Sequence, residues 1–339
     1  MLILTTSTLI LLFIAAVTGL LALPIGYLAL KTYVQTGKTV TEEERDSLED
    51  RSYLLLMIAA VVLAVKLGEW PLFYVTLQSV IPHIHGAMCI FGVMQARPVL
   101  SGVVQLLKPL VFFGIGGWLI LRRLGPVFEF SPLFRTKHLL LAAISLFIFM
   151  DSAMDLLYFT SFDTGADVAC CTTVFDLAEG KQAALTASLI GKGYDRVLLP
   201  LYFFTNIMML AYLAYSFITV AVGKLLLLRT RAAGAVLAAI NAVITIAALF
   251  EVISPRAMDL PYHHCIYCMW QYAPPSVVMT AFFVIGAFSP GWALMLAVVG
   301  RQSADDALLS EYQRKLALLG MGGIGLSLCM AVYFVFLKS

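Results

Sequence analysis

Residues 275–299, PSVVMTAFFVIGAFSPGWALMLAVV, contain no aspartate, glutamate, lysine or arginine. Wound as an α-helix, this stretch is about 37 Å long at 1.5 Å per residue, enough to cross the roughly 30 Å hydrocarbon layer of a bilayer. A helix suits that medium because it satisfies every backbone N–H and C=O within its own segment. Seven further runs of the same character lie near 4–30, 52–80, 99–121, 138–160, 197–228, 233–253 and 316–337. The sequence therefore predicts an all-α fold: a polytopic membrane helix bundle of about eight transmembrane helices, with the lipid bilayer as its first partner. Composition agrees, since 61% hydrophobic residues, 12% charged residues and a mean hydropathy of +0.93 exclude a water-soluble globule. A net charge of +2 provides no footprint for nucleic acid. The first run has no basic segment before it and no small-residue cleavage site after it, so it reads as a retained helix.

Lysine and arginine favour the cytoplasmic side of short loops. One set of alternate loops holds fourteen: Lys31, Lys38, Arg45, Arg51, Arg122, Arg123, Arg135, Lys137, Lys224, Arg229, Arg231, Arg301, Arg314 and Lys315. The other side holds seven: Lys66, Arg97, Lys181, Lys192, Arg196, Arg256 and Lys338. Both termini are then outside, with a bacterial inner membrane as the expected location. The loops divide the chain into a first four-helix half, 1–160, with an outer loop at 81–98, and a second half, 197–339, with an outer loop at 254–274. The longest outer loop, 161–196, separates them and carries Cys170 and Cys171. The acidic run Glu42-Glu43-Glu44 with Asp46 reads as a short cytoplasmic helix within 31–51. A helix over 52–80 overshoots the hydrocarbon, and Pro71 and Pro82 are placed to bend it at the outer surface.

Two outer segments repeat a pattern. Pro82, His85 and Cys89 in PHIHGAMC have the same spacing as Pro261, His264 and Cys268 in PYHHCIYC. With four helices per half, such a repeat corresponds to two halves in parallel orientation. Residues four apart share a face of a helix, so His85 with Cys89, and His264 with Cys268, each offer a nitrogen beside a sulfur. Two such pairs make a Cys2His2 tetrahedron suited to zinc. Thioethers from Met88, Met94 or Met269 suit copper as well, and haem is the other cofactor this donor set admits. His83, His263, Cys170, Cys171 and Cys265 are additional candidate ligands. The competing reading is plain packing, with cysteine acting as a small hydrophobe; Cys329, inside the eighth run, fits it.

A second chemistry resides in Cys265-Ile266-Tyr267-Cys268. This Cys-X-X-Cys spacing can hold a redox-active disulfide, with Cys265 and Cys268 as catalytic thiols and a membrane quinone as electron partner. Outer-face cysteines stand where disulfides form and persist. Ionisable residues within the runs form a third feature, because they are costly in lipid and face protein or water. Lys66, Glu69, Asp151, Asp155 and Glu251 form the expected polar network, with Lys108 in the third run. The alternatives for that network are a structural ion-pair cluster and an ion-carrying cavity.

There is no Walker A loop, Cys-X-X-Cys-His haem attachment or His-Glu-X-X-His motif, and no dinucleotide fingerprint set between a strand and a helix. Three functional readings stand. The first is an outward-facing His/Cys site that binds or hands on a transition metal or metal cofactor, as a subunit of a respiratory or cofactor-assembly complex with membrane or periplasmic redox or metal proteins as partners. The second is a quinone-linked thiol-disulfide oxidoreductase, and the third an ion-coupled secondary transporter. Whether the chain is an enzyme depends on which of these holds.

Overall fold

Long uncharged runs become helices, and eight of those formed by the described residues are long and apolar enough to cross a membrane. The computed structural model describes residues 5–37, 42–124, 132–162, 168, 193, 195–261, 263–300 and 306–338. In chain order the helices are α1 (Thr6–Gln35), α2 (Glu42–Val80), α3 (Ile90–Gln95), α4 (Pro98–Arg122), α5 (Pro132–Thr160), α6 (Asp195–Ala221), α7 (Leu228–Ala248), α8 (Ser254–Met258), α9 (Ile266–Tyr272), α10 (Pro275–Val299) and α11 (Asp306–Val332). A 3₁₀ turn, Ile81–His83, follows α2, and π-helical turns at Leu249–Ile253 and Tyr333–Leu337 extend α7 and α11. The eight spans are α1, α2, α4, α5, α6, α7 with its π turn and α8, α10, and α11. Among the described residues no strand is present.

Two local expectations are corrected. The acidic run is not a separate helix: Glu42, Glu43 and Glu44 form the first turn of α2, where carboxylates complement the helix dipole, and the helix continues unbroken into the membrane run. At 39 residues α2 is about 58 Å long, so it projects well beyond the hydrocarbon. It does not end at Pro71; it ends in the 3₁₀ turn containing Pro82, after which Ile84 is extended. The fifth span also stops earlier than its apolar run. Helix α6 closes at Ala221, and Gly223 adopts φ +76°, a left-handed conformation that glycine takes without Cβ strain. Helix α7 then starts at Leu228, placing Arg229 and Arg231 in its first turn.

The chain forms two compact units. The first contains α1, α2, α4 and α5. Along α1, Ala15, Gly19, Ala22, Gly26 and Ala29 recur at three- and four-residue intervals, the spacing of one helix face. A Cβ added at Gly19 would lie 2.8 Å from Ser152 Cβ on α5, and one at Gly26 would lie 3.0 Å from Ser145 Cβ. Small residues thus bring α1 and α5 close together, as expected where association relies on packing rather than on water exclusion. Leu56, Ala59, Leu63, Ile115, Trp118, Leu141 and Ile148 complete this core. Outward positions of α1 such as Phe13, Leu20 and Tyr27 are apolar and 66–70% exposed, whereas Lys66, Glu69, Lys108, Asp151 and Asp155 are at most 3% exposed. Apolar side chains outside and charges inside mark a bundle whose solvent is lipid.

The second unit contains α6, α7, α8, α9, α10 and most of α11, together with the short segment Gly86–Gly92. Met209, Leu213, Ala238, Phe283 and Ile324 form its core. Asn206 ties α6 to α7 by donating to Thr245 Oγ1 at 3.4 Å, while Asn241 donates to Asn206 Oδ1 at 3.2 Å. Buried Arg231 on α7 donates to Gln313 Oε1 on α11.

Candidate functional sites

The first site lies in the second unit, where the segment carrying Cys89 meets the one carrying Cys265 and Cys268. Its backbone differs from the helical spacing argument. Ile84 is extended, Gly86 has φ +80°, and α3 begins only at Ile90, so no helix joins His85 to Cys89. Likewise Cys265 is extended (φ −113°, ψ 117°) and caps α9, leaving His264 outside the helix that carries Cys268. The shared-face geometry expected for both His/Cys pairs is therefore absent.

What the fold brings together is sulfur. The Sγ atoms of Cys89, Cys265 and Cys268 all lie within 4.8 Å of one another. All three are thiols, and they are 0%, 0% and 5% exposed. The Cys265 carbonyl accepts from the Met269 N–H at 3.0 Å, closing the first turn of α9 and setting Cys265 and Cys268 side by side. Helix α9 is held in turn. Ser254 Oγ donates to Leu249 O at 2.6 Å and contacts Met269 Sδ at 3.5 Å, and Ser276 Oγ donates to Met269 O at 3.3 Å. Asp259, at φ 56°, ends α8 and turns the chain toward this segment.

No histidine belongs to the group of ligand atoms that meets within 4.8 Å. His264 is buried in the same unit at 2% exposure, whereas His83 and His85 are exposed and belong to the first unit. His263 is partly buried. Met269 is fully buried and Met88 is 72% exposed. Cys170 and Cys171 lie outside the described residues. Cys265, read from sequence as an additional ligand, is one of the three sulfurs that converge; the repeat comparison missed it because it has no counterpart in the first segment.

The second site lies in the first unit. Lys66 Nζ stands 2.5 Å from Glu69 Oε1, 2.8 Å from Asp151 Oδ2 and 4.0 Å from Asp155 Oδ2, and donates to Ser152 Oγ at 2.9 Å. Lys108 Nζ donates to Glu69 Oε1 at 2.9 Å, to Asp151 Oδ2 at 3.0 Å and to Asp155 Oδ2. Spacing explains the arrangement: Lys66 and Glu69 are three apart on α2, and Asp151 and Asp155 four apart on α5, so each pair shares a face. Sequence reasoning placed four of these residues in one network but left Lys108 outside it. Lys108 touches all three carboxylates and is the hub. Glu251, the fifth expected member, belongs to the second unit, in the π turn after α7.

No protein-family model, curated protein or solved structure matches this chain. Its function must be argued from these two clusters.

Proposed function

We propose that this integral membrane protein binds a soft transition-metal ion through Cys89, Cys265 and Cys268, and holds it or hands it on at that face of the membrane. The observation that carries the reading is the meeting of three buried cysteine sulfurs drawn from two separate stretches of the chain. Cysteines serving only as small hydrophobes have no reason to place their sulfurs together. Two sulfurs on one tetrahedral zinc stand roughly 3.8 Å apart when each Zn–S bond is near 2.3 Å, and the three sulfurs, all within 4.8 Å of one another, leave room for that arrangement.

Charge favours zinc over copper(I). Three thiolates around Zn²⁺ leave one net negative charge and around Cu⁺ two, and buried net charge is costly. Zinc then needs a fourth ligand, and we assign His264, buried one residue before Cys265, whose ring stands outside the group of converging sulfurs and would have to turn toward them. Of the Cys2His2 set suggested by spacing, this retains Cys89, Cys268 and His264 and exchanges His85 for Cys265. A partner that supplies or receives the metal would have to displace one of these bonds, the chemistry expected of a subunit in a respiratory or cofactor-assembly complex.

The test is metal analysis of the full chain purified without chelator. About one zinc or copper per chain is expected, falling to background in Cys89→Ser, Cys265→Ser and Cys268→Ser and unchanged in Cys329→Ser, whose cysteine is exposed. Metal-free wild-type protein overturns the reading. If thiol mass-tagging of that protein finds a Cys265–Cys268 disulfide, quinone-linked thiol exchange takes its place.

A further inference from the structure

We propose that the cluster of Lys66, Glu69, Lys108, Asp151 and Asp155 is a proton-binding site within the membrane, holding one exchangeable proton among its three carboxylates at neutral pH. The first reason is a charge count. Two ammonium groups face three carboxylates, all with side-chain exposure of 3% or less, so the fully ionised cluster carries a surplus negative charge away from water. A buried charge without compensation takes up or releases a proton in preference to staying charged.

The second reason is independent of charge and lies in the hydrogen bonding. Every ion-pair contact to the lysines uses the same side of each carboxylate: Glu69 Oε1, Asp151 Oδ2 and Asp155 Oδ2. The opposite oxygens, Glu69 Oε2, Asp151 Oδ1 and Asp155 Oδ1, are buried and accept no hydrogen bond. Buried acceptors without donors are rare, and each calls for an explanation. A single proton answers the surplus negative charge and two of the three orphaned oxygens: it sits on one as a carboxylic O–H, neutralising the charge, and can donate to another. One oxygen of each of the three side chains lies within 4.8 Å of the others, so the carboxylates form a single cluster in which they compete for the proton.

A metal ion does not fit. Lys66 Nζ and Lys108 Nζ both stand within 3.0 Å of Glu69 Oε1 and Asp151 Oδ2, so the position a cation would occupy already holds two. The charged and titratable neighbours are few. Helix α2 contributes Lys66, Glu69 and the phenol of Tyr74. Helix α4 contributes Lys108, with the Phe73 ring centroid 5.2 Å from its Nζ, and α5 contributes Asp151 and Asp155. From α1 the neighbour is the Thr18 hydroxyl, 3.4 Å from Ser152 Oγ.

Infrared difference spectroscopy of the full chain in nanodiscs, wild type minus variant, tests this directly. Glu69→Gln, Asp151→Asn and Asp155→Asn each remove the surplus charge and leave two cations facing two anions, a cluster that needs no proton. Each difference spectrum should therefore contain one carboxylic-acid C=O band at neutral pH, and that band should shift in D₂O as the proton exchanges. Because any one of the three substitutions suffices, failure of one variant to fold leaves the other two to decide. Absence of the band in the folded variants' difference spectra, or a band that D₂O never shifts, overturns the proposal. Metal content plays no part in the measurement, so its outcome is separate from that of the thiol site.

Discussion

Lys108 contacts Glu69, Asp151 and Asp155 at once, and its removal separates the roles of charge and packing at the scale of one side chain. Replacing Lys108 with methionine keeps most of the volume but leaves Lys66 alone against three carboxylates. Removing one partner of a buried ion pair costs about 3–5 kcal/mol, and Lys108→Met should lower stability in detergent by about that amount. Adding Asp155→Asn brings the charges back toward balance and should recover part of the loss. Equal melting temperatures for Lys108→Met and wild type would show that the cluster contributes nothing to holding the unit together. The sequence made Lys66, Glu69, Asp151 and Asp155 legible because helical spacing pairs them within their own helices. Lys108 stands alone on α4, so only packing between helices reveals it as the hub. At the thiol site the same spacing rule failed, and the reason is a residue already in view. Gly86 lies between His85 and Cys89, and its φ of +80° breaks any helix across them.

Helices of this length were legible because hydrocarbon thickness imposes a run of about 20 apolar residues whatever the packing. All eight expected spans are present. Their ends were less legible, since local chemistry sets them: the acidic start of α2 and the turn at Gly223 both lie beyond the reach of hydropathy. Packing between elements depends instead on small residues. In the second unit α10 and α11 cross where Gly286 and Gly323 face each other. A Cβ on Gly323 would lie 2.6 Å from Phe282 O and 2.8 Å from Gly286 N, and one on Gly286 would lie 2.7 Å from Ile324 N. These are backbone atoms and cannot rotate away. Gly323→Ala should therefore force the helices apart at a cost of about 1–3 kcal/mol. Gly325, two residues on, has nothing within 4 Å of its added Cβ. Gly325→Ala should stay within about 1 kcal/mol of wild type, on the stabilising side. Thermal unfolding of the two variants in the same detergent checks the pair, and equal effects at the two positions would mean that the close helix crossing at Gly323 does not limit side-chain size.

For the molecule as a whole, orientation in the bilayer decides what its two sites can exchange with. The distribution of fourteen basic residues on one set of loops against seven on the other is the argument for placing the thiol segments outside. The clustered thiols are poor reporters of this, because Cys89, Cys265 and Cys268 are buried and an aqueous reagent would be slow to reach them from either side. Exposed loop positions serve better. His83 is exposed at the end of the second span, and Lys224 is exposed between the fifth and sixth. In a Cys170→Ser, Cys171→Ser, Cys329→Ser background with the three clustered thiols intact, His83→Cys should react with a membrane-impermeant maleimide in whole cells. Lys224→Cys should react only after the membrane is opened. The opposite pattern would turn the protein over: the proposed metal site would then draw on cytoplasmic partners and reduced thiols. Labelling of both positions from outside would mean that an odd number of spans no longer separates them, and the eight-span count would fail with the orientation.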